Sequence, residues 1–123
     1  MRDTAPVSSF RRPNLREDPD LAKRMRRILG DASQAACREL ASVGVTGTYP
    51  FLGYNLQPNV WWIVATDAER SAMRRDGVPR EVVRGHLLAA GMPENLVAGL
   101  SVDVESQETV DRNFDGNWWS AMR

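Results

Sequence analysis

Apolar positions change rhythm along this chain, and each change predicts an element. Wheeled at about 100° per residue, Leu21, Met25, Ile28, Leu29, Ala32, Ala36 and Val43 gather on one side, while Lys23, Arg24, Arg27 and Arg38 fall opposite. This is an amphipathic helix. Asp18 can cap it, Pro19 suits its first position, and Asp20 complements its dipole. Gly44 ends it. Gly30, on the polar side in mid-helix, costs about 1 kcal/mol against alanine and marks a point where the helix can break.

Residues 45–58 are punctuated by Gly47, Pro50, Gly53 and Pro58, with Tyr49, Phe51, Leu52 and Tyr54 between them. A short strand over Thr48–Tyr54 fits only at a sheet edge, because Pro50 has no N–H to give to a ladder. The next run, Val60-Trp61-Trp62-Ile63-Val64-Ala65, is apolar throughout and predicts a central strand buried on both faces. Thr66 followed by Glu69 is a capping box and starts a short helix that Asp76-Gly77 ends. Pro79–Ala90 predicts another helix, stopped by Gly91, and Pro93 begins a turn. Leu100, Val102 and Val104 then alternate with Ser101, Asp103 and Glu105, the pattern of a half-exposed strand. Ser106 caps a last short helix, and Asp115-Gly116 breaks it before Asn117-Trp118-Trp119.

The predicted fold is α+β. A small two- to three-stranded sheet has its central strand at about 59–65 and a second strand at about 99–105, with the long N-terminal helix and shorter helices packed on it. About 35 residues of helix separate the two strands, enough for a parallel crossover but no proof of one. Residues 1–17 contain few apolar side chains and are expected to be a flexible tail ahead of one globular domain, 18–123.

Composition narrows the function classes. With 123 residues, 42% of them hydrophobic, the chain can hide roughly two-thirds of its unfolded surface without staples. No run reaches the ~18 apolar residues of a membrane span, and Met1–Asp20 lacks the apolar core of a secretory leader, so a cytoplasmic protein is expected. One cysteine, Cys37, excludes an internal disulfide, and one histidine, His86, excludes a Cys/His zinc site built from one chain. Net charge is zero yet unevenly spread. Residues 1–30 carry eight basic against four acidic groups, and residues 101–123 carry five acidic against two basic. Arginine outnumbers lysine fifteen to one, which reads as the GC-rich coding of a bacterial gene rather than as function.

Candidate chemistry is sparse. No phosphate-cradling glycine motif and no nucleophile elbow is present. His86 wheels onto an apolar helix face between Val82, Val83 and Ala90, as a core histidine does. Arg38 adjoins Cys37, but the cysteine sits mid-helix rather than at the helix start that favours a reactive thiol. Asp103, Glu105, Glu108, Asp111 and Asp115 supply hard-cation oxygens without a calcium-loop spacing, and read better as a solvated face. No cofactor or metal is expected. The most telling feature is two adjacent tryptophan pairs. Trp61 and Trp62 belong to the central strand. Trp118 and Trp119, if extended, cannot both enter one core face, and tryptophan is a favoured interface anchor.

These residues predict a small non-enzymatic protein-interaction domain, immunity-, antitoxin- or adaptor-like. Its acidic, Trp-containing C-terminal surface comprises Trp118, Trp119, Arg112, Asp115, Asn117, Glu105 and Glu108. One alternative is an anionic or nucleic-acid partner bound through Arg11, Arg12, Lys23, Arg24, Arg27 and Arg38. A second is an enzyme pairing His86 with Glu105 or Glu108.

Overall fold

A computed structural model describes residues 18–121; the tail expected over 1–17 lies outside them. The chain is α+β, with most of its described residues helical around a three-stranded sheet. In chain order it runs α1 (Pro19–Leu40), a 3-10 turn (Ala41–Val43), β1 (Gly47–Leu52), β2 (Pro58–Val64), α2 (Asp67–Arg74), α3 (Val78–Ala89), α4 (Glu94–Val97), β3 (Ser101–Ser106), α5 (Gln107–Phe114) and α6 (Trp118–Ala121). Helix α1 starts where the capping residues place it. Asp18 Oδ1 accepts the Leu21 N–H at 3.2 Å. The helix passes through Gly30 without a break and tightens into the 3-10 turn, which Gly44 closes at a φ of 105°.

Sheet order is β1-β2-β3. Strand β1 is antiparallel to β2, with Tyr49 opposite Trp61 and Pro50 opposite Val60. Strand β3 is parallel to β2, with Trp62 opposite Val104 and Val64 opposite Ser106. The crossover between them is α2, α3 and α4. Burial along β2 alternates strictly: Pro58, Val60, Trp62 and Val64 are buried, and Asn59, Trp61 and Ile63 are half-buried. The central strand is therefore buried unequally. Val60, Trp62 and Val64 form one cluster with Met25, Leu29, Ala32 and Ala36 of α1 and Val83 and Leu87 of α3. Its odd positions share the opposite face with Tyr49, Phe51, Asp103 and Glu105, where burial is incomplete. The unbroken apolar run Val60–Ala65 hides this asymmetry, because Trp61 and Ile63 are as hydrophobic as the residues that reach the core. Val43, wheeled onto the apolar side of α1, is 59% exposed because the helix has already tightened and turned before it.

Both sheet edges are blunted. Pro50 removes an N–H from the middle of β1. On β3 the carboxylates turn back on their own strand: Asp103 Oδ1 accepts the Val104 N–H at 2.7 Å, and Glu105 Oε1 accepts the Ser106 N–H at 2.9 Å. Arg74 donates to the Val104 carbonyl at 2.9 Å and Arg80 to the Leu100 carbonyl at 2.6 Å. The alternation that placed Asp103 and Glu105 on one face was right, and their work there is to cap an edge.

Three buried side-chain polar atoms have no partner among the described residues, Ser33 Oγ on α1, Trp62 Nε1 on β2 and Arg70 Nε on α2. An unpaired buried hydroxyl is a cost, whereas the neighbouring leucine is a gain. Leu29→Ala is expected to lower the unfolding free energy by about 2–5 kcal/mol. Ser33→Ala, one turn along the same face, is expected to leave it unchanged or raise it by up to about 1 kcal/mol. Urea unfolding of the two variants checks both values.

Candidate functional site

Parallel pairing brings the C-terminal ends of β2 and β3 side by side, and each end launches a helix. Thr66 caps α2 and accepts the Glu69 N–H at 3.2 Å, while Glu69 returns a bond to the Thr66 N–H at 3.1 Å. Ser106 caps α5 and accepts the Thr109 N–H at 3.0 Å. The two helix starts then cap one another. Glu108 of α5 accepts the Asp67 N–H at 3.0 Å, and the Glu108 N–H donates to the Ala65 carbonyl at 3.1 Å. Asp67 of α2 accepts the hydroxyl protons of both Ser106 and Thr109, the latter at 2.6 Å.

Two arginines close this clasp. Arg70 donates to Glu105 and to Thr109, each at 2.8 Å. Arg112 donates to Asp67 Oδ2 and to Thr109 Oγ1, each at 3.1 Å. Every hydroxyl here both gives and receives, and Ser106 is fully buried. The arrangement ties the start of α5 to the start of α2. The sequence reading missed Asp67, Arg70 and Thr109 as a unit, although the Thr66/Glu69 box and the Ser106 cap are its two visible ends.

The clasp also decides which expected binding residues are available. Glu105, Glu108 and Arg112 are spent inside it. Asn117 accepts the Ser120 N–H at 3.1 Å. The last segment is not extended. Asp115 (φ 52°) and Gly116 (φ 76°) turn the chain, and α6 begins at Trp118. A helical turn separates the two rings by about 100°. Trp118 is half-buried and donates Nε1–H to Gln107 Oε1 at 2.9 Å, whereas Trp119 is 66% exposed. Phe114, which the sequence did not single out, is 36% exposed at the end of α5. Asp115 is exposed and its side chain has no partner among the described residues. Asp111 Oδ1 accepts from Gln107 Nε2 at 2.8 Å, so the exposed Trp119 and Phe114 rings and the Asp115 carboxylate are the chemically unspent groups of this end.

His86 is not a core histidine. It is half-exposed on α3, with Nε2 3.0 Å from Glu39 Oε1 of α1. Its carboxylate partner is thus Glu39, not Glu105 or Glu108. Polar atoms reach the interface because α1 and α3 meet at their solvent margin. Cys37 is half-buried; burial pushes its thiol up and the neighbouring Arg38 only partly opposes this. Among the described residues, no three His, Cys, Asp or Glu side chains converge as a metal site. Lys23, Arg24, Arg27 and Arg38 are all exposed on α1, as wheeled; Arg11 and Arg12 lie outside the described residues. No helix among the described residues is long and apolar enough to cross a membrane. No protein-family model, curated protein or solved structure is significantly similar to this chain.

Asp67 is held well below the usual carboxylate range, first by the Ser106 hydroxyl, then by that of Thr109, with Arg112 adding to both. A carboxyl lowered on folding stabilises the fold fully above its unfolded pKa of about 3.9, and that contribution is lost as pH falls below it. Unfolding free energy is expected to decline on acidification from about pH 5 to pH 2. Asp67→Asn should unfold more easily at pH 7 and show a shallower acid decline. Denaturant titrations across that range test this, and an equally steep decline in the variant would assign it to other carboxylates.

Proposed function

We propose that this chain is a non-enzymatic protein-interaction module, of the immunity, antitoxin or adaptor kind, whose partner docks on the α5–α6 end. The observation that carries the reading is the contrast between the two terminal tryptophans. Trp118 is turned in and tied to Gln107, while Trp119, its neighbour in sequence, stands 66% exposed. Holding a large apolar ring in water costs free energy that a partner's pocket recovers, and tryptophan is enriched among residues that dominate binding. Phe114 extends the apolar surface, and Asp111 and Asp115 give it an acidic rim. The complementary partner has an apolar cleft bordered by Lys or Arg. The full use of the clasp's hydroxyls and carboxylates in holding α2 to α5 argues further against chemistry at this end.

Trp119→Ala is expected to abolish recovery of a stoichiometric partner in affinity capture from the native host lysate, with its melting temperature within about 2 °C of the parent, since exposed substitutions change stability little. Trp118→Ala should instead lower the melting temperature. Capture unaffected by Trp119→Ala overturns the proposal.

A further inference from the structure

The sheet has two unlike faces. Tyr49, Phe51, Asn59, Trp61 and Ile63 lie on the one opposite to the face that α1 and α3 cover. Tyr49, Trp61 and Ile63 are half-buried there, and Phe51 is 41% exposed. On the β3 side this face is bounded by two ion pairs, Asp103 with Arg74 at 3.0 Å and Glu105 with Arg70 at 2.8 Å. Its open part is an aromatic platform over β1 and β2. Helix α1 lies behind β1, where Arg26, Leu29 and Gly30 line one groove with Pro50 and Leu52. Pro19, where α1 begins, is about 10 Å further along the helix than Arg26. The chain ahead of α1 therefore starts out beside the border strand, past the Leu52 end of β1.

We propose that residues 1–17 of this chain dock on the aromatic platform as a polyproline-type segment. Three observations select this occupant. The first is pattern. Val7, Phe10 and Pro13 stand at every third position, separated by Ser8-Ser9 and Arg11-Arg12. A polyproline II helix has three residues per turn, so this spacing puts all three on one stripe, and Pro6 and Pro13 preset its φ. Segments of this kind dock on aromatic-lined surfaces. The second is reach. Pro13 to Pro19 spans about 19 Å in this conformation, against the roughly 10 Å between packed layers. The stripe can thus come round the border of β1 onto the platform. The third is charge. Residues 1–17 carry four arginines against two acids, while residues 18–121 carry fourteen acids against eleven basic side chains. While docked, the segment closes the platform, and a partner at this face has to displace it. This contact does not involve the Trp119 surface.

The test is paramagnetic broadening of NMR signals in the full chain. A nitroxide is attached at Ser9→Cys, off the apolar stripe, in a Cys37→Ser background. The amide signals of Tyr49, Phe51 and Trp61 should lose most of their intensity, and more than any in α3 on the other face. Phe10→Ser in the same labelled chain should restore them while the rest of the spectrum stays unchanged, which shows the fold intact. A mixture of isotope-labelled chain lacking the nitroxide with unlabelled chain carrying it should show no loss. Equal losses throughout the chain, no loss at the platform, or a loss that Phe10→Ser leaves in place overturns the proposal. Loss in the mixed sample assigns the platform to a second copy and overturns it as well.

Discussion

Two parallel strands that end together force two helices to begin together, and the rest of the architecture follows from how that crowding is settled. Helix starts leave unpaired N–H groups and a positive field. Here both sets meet at the ends of β2 and β3. The Asp67 carboxylate answers from α2 and Glu108 answers from α5, so each helix supplies the anion that the other needs. With those ends fixed, the crossover of α2, α3 and α4 returns over one sheet face, where α1 also lies, and the core forms on that face. The opposite face is left with the weaker burial that Trp61, Ile63, Tyr49 and Phe51 record.

Local signals in the sequence located the elements well, because each has its own chemistry. Asp18-Pro19, the Thr66/Glu69 box, Gly91 and Ser106 place helix ends to within a residue or two. The alternation from Val102 to Glu105 identified β3, and Pro50 identified an edge. What escaped depends on contacts between distant segments. Trp61 and Trp62 are equally apolar, so only the placement of the helices decides which is buried. His86 looked like a core residue because a wheel cannot show that Glu39, 47 positions earlier, comes to meet it at the surface. The clasp was invisible for the same reason, since Asp67 reads as a first-turn acid until Ser106 and Thr109 arrive from 39 and 42 residues away.

The candidate surfaces share a logic. Glu105, Glu108 and Arg112, expected on a binding surface, are consumed with the Ser106 cap in holding the frame. Trp119, expected as an anchor, and Phe51, read only as a strand residue, are left in water. Asp103, Glu105 and Glu108 are thus structural, and the exposed aromatic residues are where recognition is sought.

The treatment of the sheet's borders has a further consequence. Asp103 and Glu105 occupy the Val104 and Ser106 N–H groups of β3, Arg74 occupies the Val104 carbonyl, and Pro50 interrupts β1. An extended peptide arriving at either side finds no continuous row of backbone groups to zip onto. Strand addition is opposed at these borders, which leaves side chains as the means by which the described surface can recruit a partner.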